Sequence, residues 1–525
     1  MSDVAAYPGA LPEPKVTARR FIAFAALIFG MFMAILDIQI VASSLAEIQA
    51  GLSAAPQEIA WVQTSYLVAE VVMIPLSGFL ARALSTRVLF TISAAGFTLA
   101  SVLCATATSI NEMIVYRALQ GFIGGGMIPT AMAAAYTIFP RRSMGPVMAV
   151  IGLTVTLAPT IGPTIGGYLT ELFSWHWLFL INVVPGVIAS VIAWTLIDFD
   201  EPEYGLLKRI DIWGLAALAV FLGSLEYVLE QGPIDDWFDS NIIAFLAVLC
   251  AVGGVIFFWR TFNVAVPIVD LHAYKDRNFA VGSLLTFVLG MGLYGLTYLY
   301  PLFLARVRGF NALQVGETMF ITGAAMFIAA PIAGTLARKI DPRWLIGGGF
   351  AGFVLSCVEL IPITSQWGFW ELMLPQLLRG ASLMFCMVPI NIVALGTLPP
   401  DQLKNAAGLF NTVRNIGGAF GLAGINTFLN QRTDMHILRL REHVVWGRTA
   451  ADEALAGLTE RFTPFLGSNA EQAAIKRLSG LVFREALTLA FADVFLLLSI
   501  IFSLCAILVI FVRRPRLDAV AEPAH

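Results

Sequence analysis

The dominant pattern of the chain is a series of long apolar runs, separated by short segments that carry charged and turn-forming residues. An α-helix needs about 20 apolar residues to cross the hydrocarbon layer of a membrane. The runs predict fourteen transmembrane helices, near residues 20–43, 57–80, 86–107, 112–138, 146–170, 177–197, 211–230, 241–260, 279–304, 315–337, 343–363, 371–398, 405–429 and 486–512. The pattern therefore predicts an all-α integral membrane protein.

Composition supports this prediction and narrows the function. Hydrophobic residues make up 58% of the chain and charged residues 13%. In soluble domains, about half of the residues are hydrophobic and about a quarter are charged. A net charge of -3, with no basic run among aromatic residues, excludes a nucleic-acid partner. The sequence has no metal-ligand spacing, no phosphate-binding loop and no clustered catalytic set. It therefore predicts no metal or cofactor, and neither an enzyme nor an ATP-driven pump.

The distribution of basic residues predicts the orientation. If the N-terminus is cytoplasmic, nineteen Lys and Arg residues fall in inner segments, and short outer loops hold only Arg306 and Arg308. Basic residues near span ends are retained on the cytoplasmic side. Both termini are thus predicted to be cytoplasmic, as tails over residues 1–19 and 513–525.

An internal repeat divides the chain. PLSGFLAR at 75–82 is followed 256 positions later by PIAGTLAR at 331–338, and the same offset relates Gly152 to Gly408 and Gly162 to Gly418. We infer two six-helix bundles, over 20–197 and 279–512, with two inserted transmembrane helices in 198–278. Parallel repeats of this kind are typical of secondary transporters, whose binding site lies between the halves near the membrane midplane.

Several motifs are characteristic of one family. They are ILDIQIV (35–41), GFLARALSTR (78–87), YRALQGFIGGGMIP (116–129) and APTIGPTIGGYL (158–169). With them the chain resembles the major facilitator superfamily, specifically the fourteen-span, EmrB-like drug:proton antiporters. The second motif departs from the family pattern, because Arg82 replaces its usual acidic residue and Ser85 its second glycine. This departure leaves open whether the loop forms the family's gating charge relay.

The resemblance implies a function and partners. It implies a bacterial inner-membrane antiporter that exports hydrophobic or cationic drugs in exchange for protons. It also implies that the long outer segment 430–485 docks a periplasmic membrane-fusion adaptor, which connects to an outer-membrane channel. A solvated helical cap without a partner is an equal alternative for this segment. Export of one endogenous metabolite, siderophore or fatty acid, or proton symport, remains the alternative function.

Two carboxylates in apolar runs of the N-terminal half are candidates for proton coupling. Asp37 requires a partner or a watery cavity, because an ionised carboxylate is costly inside a membrane. Arg117 is predicted to reach it, and the resemblance assigns proton coupling and substrate binding to this pair. Glu70 has no basic residue near it on its own helix and is predicted to carry a proton. A static ion pair and a neutral packing glutamate are the alternatives.

The remaining candidates line the predicted cavity or its hinges. The C-terminal half has Leu293 at the position equivalent to Asp37, so coupling is predicted to reside in the first half. The predicted cavity residues are Gln39, Gln63, Tyr66, Arg379, Asn411, Arg414 and Asn415. The predicted hinge and motif residues are Gly78, Arg82, Gly121, Gly162, Pro163, Gly166 and Gly167, with packing alone as the alternative. Three further carboxylates, Glu226, Glu359 and Asp493, are expected to reach the membrane interface from span ends.

Overall fold

The computed structural model describes residues 17–512 apart from 56–57, 141–142, 400–401 and 446, with backbone alone at 312–313. The predicted tails therefore lie almost wholly outside the described residues. All regular structure in the described part is helical. The α-helices are α1 (Ala18–Ser43), α2 (Leu45–Leu52), α3 (Trp61–Leu84), α4 (Thr86–Ala105), α5 (Ile110–Gly124), α6 (Met127–Ile138), α7 (Met144–Leu172), α8 (Trp177–Leu180), α9 (Val183–Leu196), α10 (Ile212–Gln231), α11 (Asn241–Asn263), α12 (Arg277–Phe303), α13 (Ala312–Leu336), α14 (Pro342–Glu359), α15 (Met373–Gly396), α16 (Leu403–Arg441), α17 (Thr449–Leu466) and α18 (Ala470–Leu508).

Each predicted span coincides with one of these helices or with a broken pair. Eleven helical segments in the described part are long and apolar enough to cross a membrane. The other three predicted spans correspond to the broken pair α5 and α6, to α14 and to α16, where a break or polar residues lower the mean hydropathy. The chain is a multi-pass membrane protein.

Two predicted spans are interrupted, and local residues account for both breaks. Between α5 and α6 lie Gly125 and Gly126, and glycine is a poor helix former. Between α8 and α9 lie Ile181 and Asn182. Pro185, in the first turn of α9, has no N–H to donate to the Ile181 carbonyl four residues earlier. The second break places the Asn182 side chain in the bundle interior, where only 2% of the residue is exposed.

The two halves meet along two helix pairs that the internal repeat relates to each other. In one pair α3 packs against α16, and in the other α7 packs against α13. A Cβ atom at Gly78 of α3 would lie 2.9 Å from the Cα of Asn405. At the equivalent position of the repeat, Gly334 of α13, it would lie 2.8 Å from the Gly145 carbonyl oxygen. The same small residue thus permits close helix approach in both pairs.

The inserted helices α10 and α11 pack as a pair beside this interface. α10 contacts α3 and α16 as well as α11. Arg260 of α11 donates from Nε to both carboxylate oxygens of Asp211, at 2.9 Å each, immediately before α10. α11 exposes large apolar side chains such as Val255 and Trp259, as expected of a helix that faces lipid.

Three helices extend into the long outer segment. α16 continues to Arg441, α18 begins at Ala470, and both predicted helix-like ends of 430–485 are therefore helical. A further helix between them, α17, was not predicted. Asp493 of α18 accepts from Arg432 Nε at 2.5 Å and lies 2.7 Å from His436 Nε2, so α16 and α18 are linked there. Asp493, which was expected to reach the membrane interface from its span end, is thus paired with two residues of α16.

Candidate functional site

A completely buried ion pair lies in the N-terminal half. Arg117 Nη1 of α5 is 2.6 Å from Asp37 Oδ2 of α1, and neither side chain is exposed. Removing one partner of such a pair costs about 3–5 kcal/mol, because the other charge is left without compensation. The two residues predicted to share one membrane level are therefore in direct contact.

Two amide side chains complete the surroundings of Asp37. Asn182 Nδ2 donates to Asp37 Oδ1 at 2.6 Å, and Gln120 Nε2 donates to the same oxygen at 3.3 Å. Gln120 Oε1 also accepts from Arg117 Nη1 at 2.6 Å, and its Nε2 donates to Ser101 Oγ at 2.8 Å. The carboxylate is thus held by one cation and one amide from α5 and by a second amide from the break between α8 and α9.

Sequence reasoning missed both amides, although each carried a signal. Gln120 lies three residues after Arg117 on the same helix and therefore faces the same direction. Asn182 is a polar residue within an apolar span, which by itself marks a candidate for an interior contact. Neither signal identified Asp37 as the partner, because the contacts connect residues distant in the sequence.

The Arg117 guanidinium is held on its other sides by α3. Its Nε donates to the Val62 carbonyl oxygen at 3.1 Å, and its centre lies 4.3 Å from the centroid of the Tyr66 ring. Arg117 Nη2 and the Tyr66 hydroxyl are buried without a hydrogen-bond partner in the described part of the chain. Two polar groups beside the ion pair therefore remain able to bind a proton acceptor or a substrate atom.

Glu70 of α3 is 3% exposed, and its Oε1 has no hydrogen-bond partner within the described residues. The charges of Arg117 and Asp37 act on its carboxylate, although neither residue contacts it. An unpaired carboxylate at this depth is unfavourable when ionised. This arrangement suits a group that exchanges a proton.

In the C-terminal half, Asn411 and Arg414 of α16 form one polar group. Arg414 Nη2 donates to Asn411 Oδ1, and Asn411 Nδ2 contacts Met132 Sδ of the N-terminal half at 2.9 Å. Arg414 Nε and Nη1 are buried without a partner in the described part. Asn415 Oδ1 accepts from the Tyr294 hydroxyl at 3.2 Å. These residues lie at the interface of the halves.

Arg379 is not part of the Asn411–Arg414 group. Its Nη2 donates to Thr297 Oγ1 at 2.5 Å and its guanidinium lies 5.1 Å from the Tyr300 ring centroid, so its partners belong to the C-terminal half. Among the other predicted cavity residues, Gln63 has a buried Oε1 without a partner in the described part. Gln39 packs against Gly162.

The predicted hinge glycines lie where helices approach closely. A Cβ at Gly121 would lie 2.3 Å from the Tyr66 carbonyl oxygen, and one at Gly166 would lie 2.9 Å from the Ile40 carbonyl oxygen. Gly162 and Gly166 both line the contact between α7 and α1. Pro163 and Gly167 are partly exposed on α7.

A polar contact joins the halves on the side predicted to be cytoplasmic, here called the inner side. Lys404 Nζ of α16 donates to Asp200 Oδ2 at 2.6 Å and to the Ala81 carbonyl oxygen at 3.1 Å. The same Asp200 oxygen accepts from Thr86 N and Oγ1, both at 2.7 Å. Arg82, which occupies the family's acidic position, has a buried Nε without a partner in the described region. The charged contact on the inner side is thus formed by Asp200 and Lys404 rather than by Arg82.

The described residues contain no group of three or more His, Cys, Asp or Glu that could hold a metal ion. The polar centres are instead the Asp37–Arg117 pair, Glu70, and the Arg414 group. All three belong to buried positions of helices rather than to loops.

Comparisons with known proteins agree on one family. Residues 27–422 match the family model described as Major Facilitator Superfamily. The chain is 43% identical to the colistin resistance protein EmrB of Acinetobacter baumannii, over 94% of this chain and 96% of that protein. It is 32% identical to the multidrug export protein EmrB of Escherichia coli K12, over 82% and 84%. It is 30% identical to the fatty acid resistance protein FarB of Neisseria gonorrhoeae, over 82% and 85%.

Solved structures show the same fold at low sequence identity. The human organic anion transporter MFSD10 aligns with a TM-score of 0.54 at 15% identity, over 92% of this chain and 99% of that chain. A bacterial homologue of the lysosomal transporter Spinster, inward-facing and unoccupied, aligns with a TM-score of 0.53 at 14% identity, over 97% and 100%. Both likenesses concern the fold alone.

Proposed function

Because the chain belongs to the major facilitator superfamily, as a relative of the EmrB exporters, we propose that it exports hydrophobic and cationic compounds in exchange for protons. The family consists of transporters and not of enzymes. The proposed location is the bacterial inner membrane, with both termini in the cytoplasm, in accordance with the distribution of basic residues.

The observation that carries the proposal is the combination of a buried Asp37–Arg117 pair with the unpaired carboxylate of Glu70. Asp37 is surrounded by donors that stabilise its charge. Glu70 Oε1 has no such donor among the described residues. Two carboxylates with contrasting surroundings in one half allow proton binding to alternate with substrate binding.

In the proposed cycle, a compound enters from the inner side or the inner leaflet and displaces protons from Asp37 and Glu70. The protein then opens outward, protons from outside rebind, and the compound is released. A hundredfold gradient of a neutral compound costs about 2.8 kcal/mol. One proton supplies about 2.3 kcal/mol per 100 mV, in addition to the contribution of the pH difference. One or two protons per compound are therefore sufficient.

We also propose that the outer helices dock a periplasmic adaptor, which joins the exporter to an outer-membrane channel. Two observations support this proposal. α16 and α18 extend beyond their predicted spans, and apolar side chains are exposed on the outer helices, with Phe465 of α17 84% exposed and Leu438 of α16 63% exposed. Replacing both with Ser should abolish co-purification of the adaptor without changing transport in liposomes. Unchanged co-purification would favour a cap without a partner.

The direct test uses liposomes with an imposed pH gradient and a panel of dyes, drugs, colistin and fatty acids. Asp37→Asn should lower proton-driven efflux by about a hundredfold while the protein remains inserted. Asp239→Asn, at an exposed position of the outer loop, is the matched control. Full efflux by Asp37→Asn would refute the assignment, and accumulation rather than export would indicate symport. Activity toward one compound class alone would indicate a dedicated exporter.

A second measurement isolates Glu70. In detergent, addition of a transported drug should release protons from the unmodified protein and fewer protons from Glu70→Gln. Equal release would mean that Glu70 has only a structural role.

A further inference from the structure

The inserted helix α10 presents two carboxylates to the transport half. Glu226 and Glu230 are four residues apart and therefore lie on one face of the helix, one turn apart. Gln231, the residue after Glu230, donates from Nε2 to Thr64 Oγ1 of α3 at 3.3 Å. This face of α10 is thus turned toward α3 and not toward lipid.

Glu226 is one turn before Glu230 on α10, and both Glu230 and Glu70 lie within its electrostatic range. Thr64 and Glu70 are six residues apart on α3, so the line from Glu230 to Glu70 covers about 9 Å along the membrane normal. Glu230 is the penultimate residue of α10 and marks the outer end of this line. Glu226 was expected to reach the membrane interface, but it is partly buried in the protein instead.

None of these three carboxylates forms an ion pair with a Lys, Arg or His in the described part of the chain. Glu70 Oε1 and Glu230 Oε2 are both buried without any hydrogen-bond partner there. Unpaired carboxylates in a poorly solvated site cannot all be ionised together, since each charge lacks compensation and repels the next. The line therefore holds protons.

An independent observation shows that the line reaches the interface between the halves. Arg414 of α16 is 2% exposed, and its Nε and Nη1 lack partners within the described residues. Tyr294 of α12 lies within the electrostatic range of Arg414, Glu70 and Glu226. The ionisable groups around the line are Tyr227 of α10, Asp235 just after α10, Tyr294 of α12, Arg414 of α16, and Asp37 and Arg117 beyond Glu70.

We propose that α10 provides the outer proton pathway of the exporter, in which Glu230 and Glu226 pass protons between the outer aqueous face and Glu70. Each carboxylate that accepts a proton from its outer neighbour releases one to its inner neighbour, so one proton is transferred overall. This inference rests on the proposed function, because it requires Glu70 to be a proton-binding site. It gives the inserted helix pair a role in coupling.

The test uses the full-length protein in liposomes that contain a pH-sensitive dye, with ethidium as the transported probe. Glu226→Gln and Glu230→Gln should each slow proton-driven ethidium exchange by about tenfold or more, and most strongly at high external pH, where protons are scarce. Exchange of ethidium for ethidium, which needs no proton transfer, should be unchanged. Glu226→Asp, which retains the carboxylate, should restore most of the rate, and Asp239→Asn should behave like the unmodified protein.

The possible results separate the inference from the proposed function. Normal rates in both glutamine variants, together with a coupling defect in Glu70→Gln, would overturn the pathway and leave the exporter proposal intact. Normal coupling in Glu70→Gln would overturn the pathway and the proton-binding role of Glu70, whereas the exporter proposal itself is tested separately by Asp37→Asn. Weaker ethidium binding with an unchanged proton rate would show that α10 binds the organic cation, which also overturns the pathway. A thermal unfolding measurement on each variant excludes loss of fold, and an unfolded glutamine variant is replaced by the Ala variant at the same position, which also lacks the carboxylate.

Discussion

Lys404 at the start of α16 and Asp200 after α9 form a contact of 2.6 Å between residues on opposite sides of the interface. Both side chains are largely buried, and the lysine also bonds the Ala81 carbonyl oxygen at the end of α3. The contact joins the inner ends of α3 and α16. It supplies a charged connection at the loop in which Arg82 has replaced the family's acidic residue.

We therefore predict that Lys404→Met favours the open state of the inner side. Loss of a hydrogen bond to a charged group costs about 1.5–3 kcal/mol. A free-energy change of about 1.4 kcal/mol corresponds to a tenfold change in an equilibrium constant. Spin labels at the inner ends of α3 and α16 should show a larger population of long distances, measured by electron–electron resonance. Lys339→Met, at an exposed position of the inner side without an ion pair in the described structure, is the control. An unchanged distance distribution would mean that the contact does not hold the inner side closed.

We predict that Asn182→Leu impairs coupling without removing any charge. Asp37 Oδ1 would lose its 2.6 Å donor and retain only the 3.3 Å contact with Gln120, at a cost of about 1.5–3 kcal/mol for a charged acceptor. Because Asp37 loses this donor, ethidium efflux driven by a fixed pH gradient should be slower. Asn182→Asp should be more severe, since it places a second carboxylate beside the first.

The matched control for this pair of variants is Ser190→Ala. Ser190 is buried on α9, which begins immediately after Asn182, but its hydroxyl donates to the Gly186 carbonyl oxygen one turn earlier and not to Asp37. Its replacement should leave the efflux rate unchanged. An unchanged rate for Asn182→Leu would show that this amide contributes only to packing.

Gly121→Ala should separate α5 from α3. A Cβ at this position would lie 2.3 Å from the Tyr66 carbonyl oxygen, which belongs to a helix backbone and cannot rotate away. Arg117 is one turn earlier on the same face of α5, so the displacement should disturb its contacts with Asp37 and Tyr66. We expect a loss of about 1–3 kcal/mol in unfolding free energy, as for other overpacked cores, and reduced efflux.

Thermal unfolding in detergent provides the measurement, with Gly424→Ala as the reference. A Cβ at Gly424 of α16 meets no atom within 4 Å. Alanine there should leave the midpoint unchanged or raise it slightly, because glycine weakens a helix. Equal stability of the two variants would contradict the assigned helix contact.

The apolar pattern was sufficient to predict the helices, because the length needed to cross a membrane is a strong constraint on sequence. It could not predict the two breaks, where Gly125–Gly126 and Pro185 act locally within runs that remain apolar overall. It also missed α17, whose residues 449–466 carry charges and are largely exposed. A helix of this kind gives no long hydrophobic run.

The candidate site was only partly predictable. A carboxylate within an apolar run can be recognised from the sequence alone, because it is rare and costly there. Asp37 and Glu70 were therefore predicted as candidates. Their surroundings depend on contacts between distant parts of the chain, so the role of Asn182 beside Asp37 and the approach of Glu226 to Glu70 emerged only from the structure. Lys404 was counted only as a cytoplasmic charge, although it links the halves.

The last prediction separates two buried arginines that the sequence did not distinguish. Arg414 has two nitrogens without partners at the interface of the halves, whereas Arg379 bonds Thr297 and stacks on Tyr300 inside the C-terminal half. Arg414→Gln should therefore raise the KM for transported compounds by about tenfold, the effect of one lost hydrogen bond from a charged donor. Arg379→Gln should leave the KM nearly unchanged but lower the thermal midpoint, because it removes a buried contact between α12 and α15. The KM and the midpoint are measured on both variants, and a reversed pattern would assign the substrate contact to Arg379.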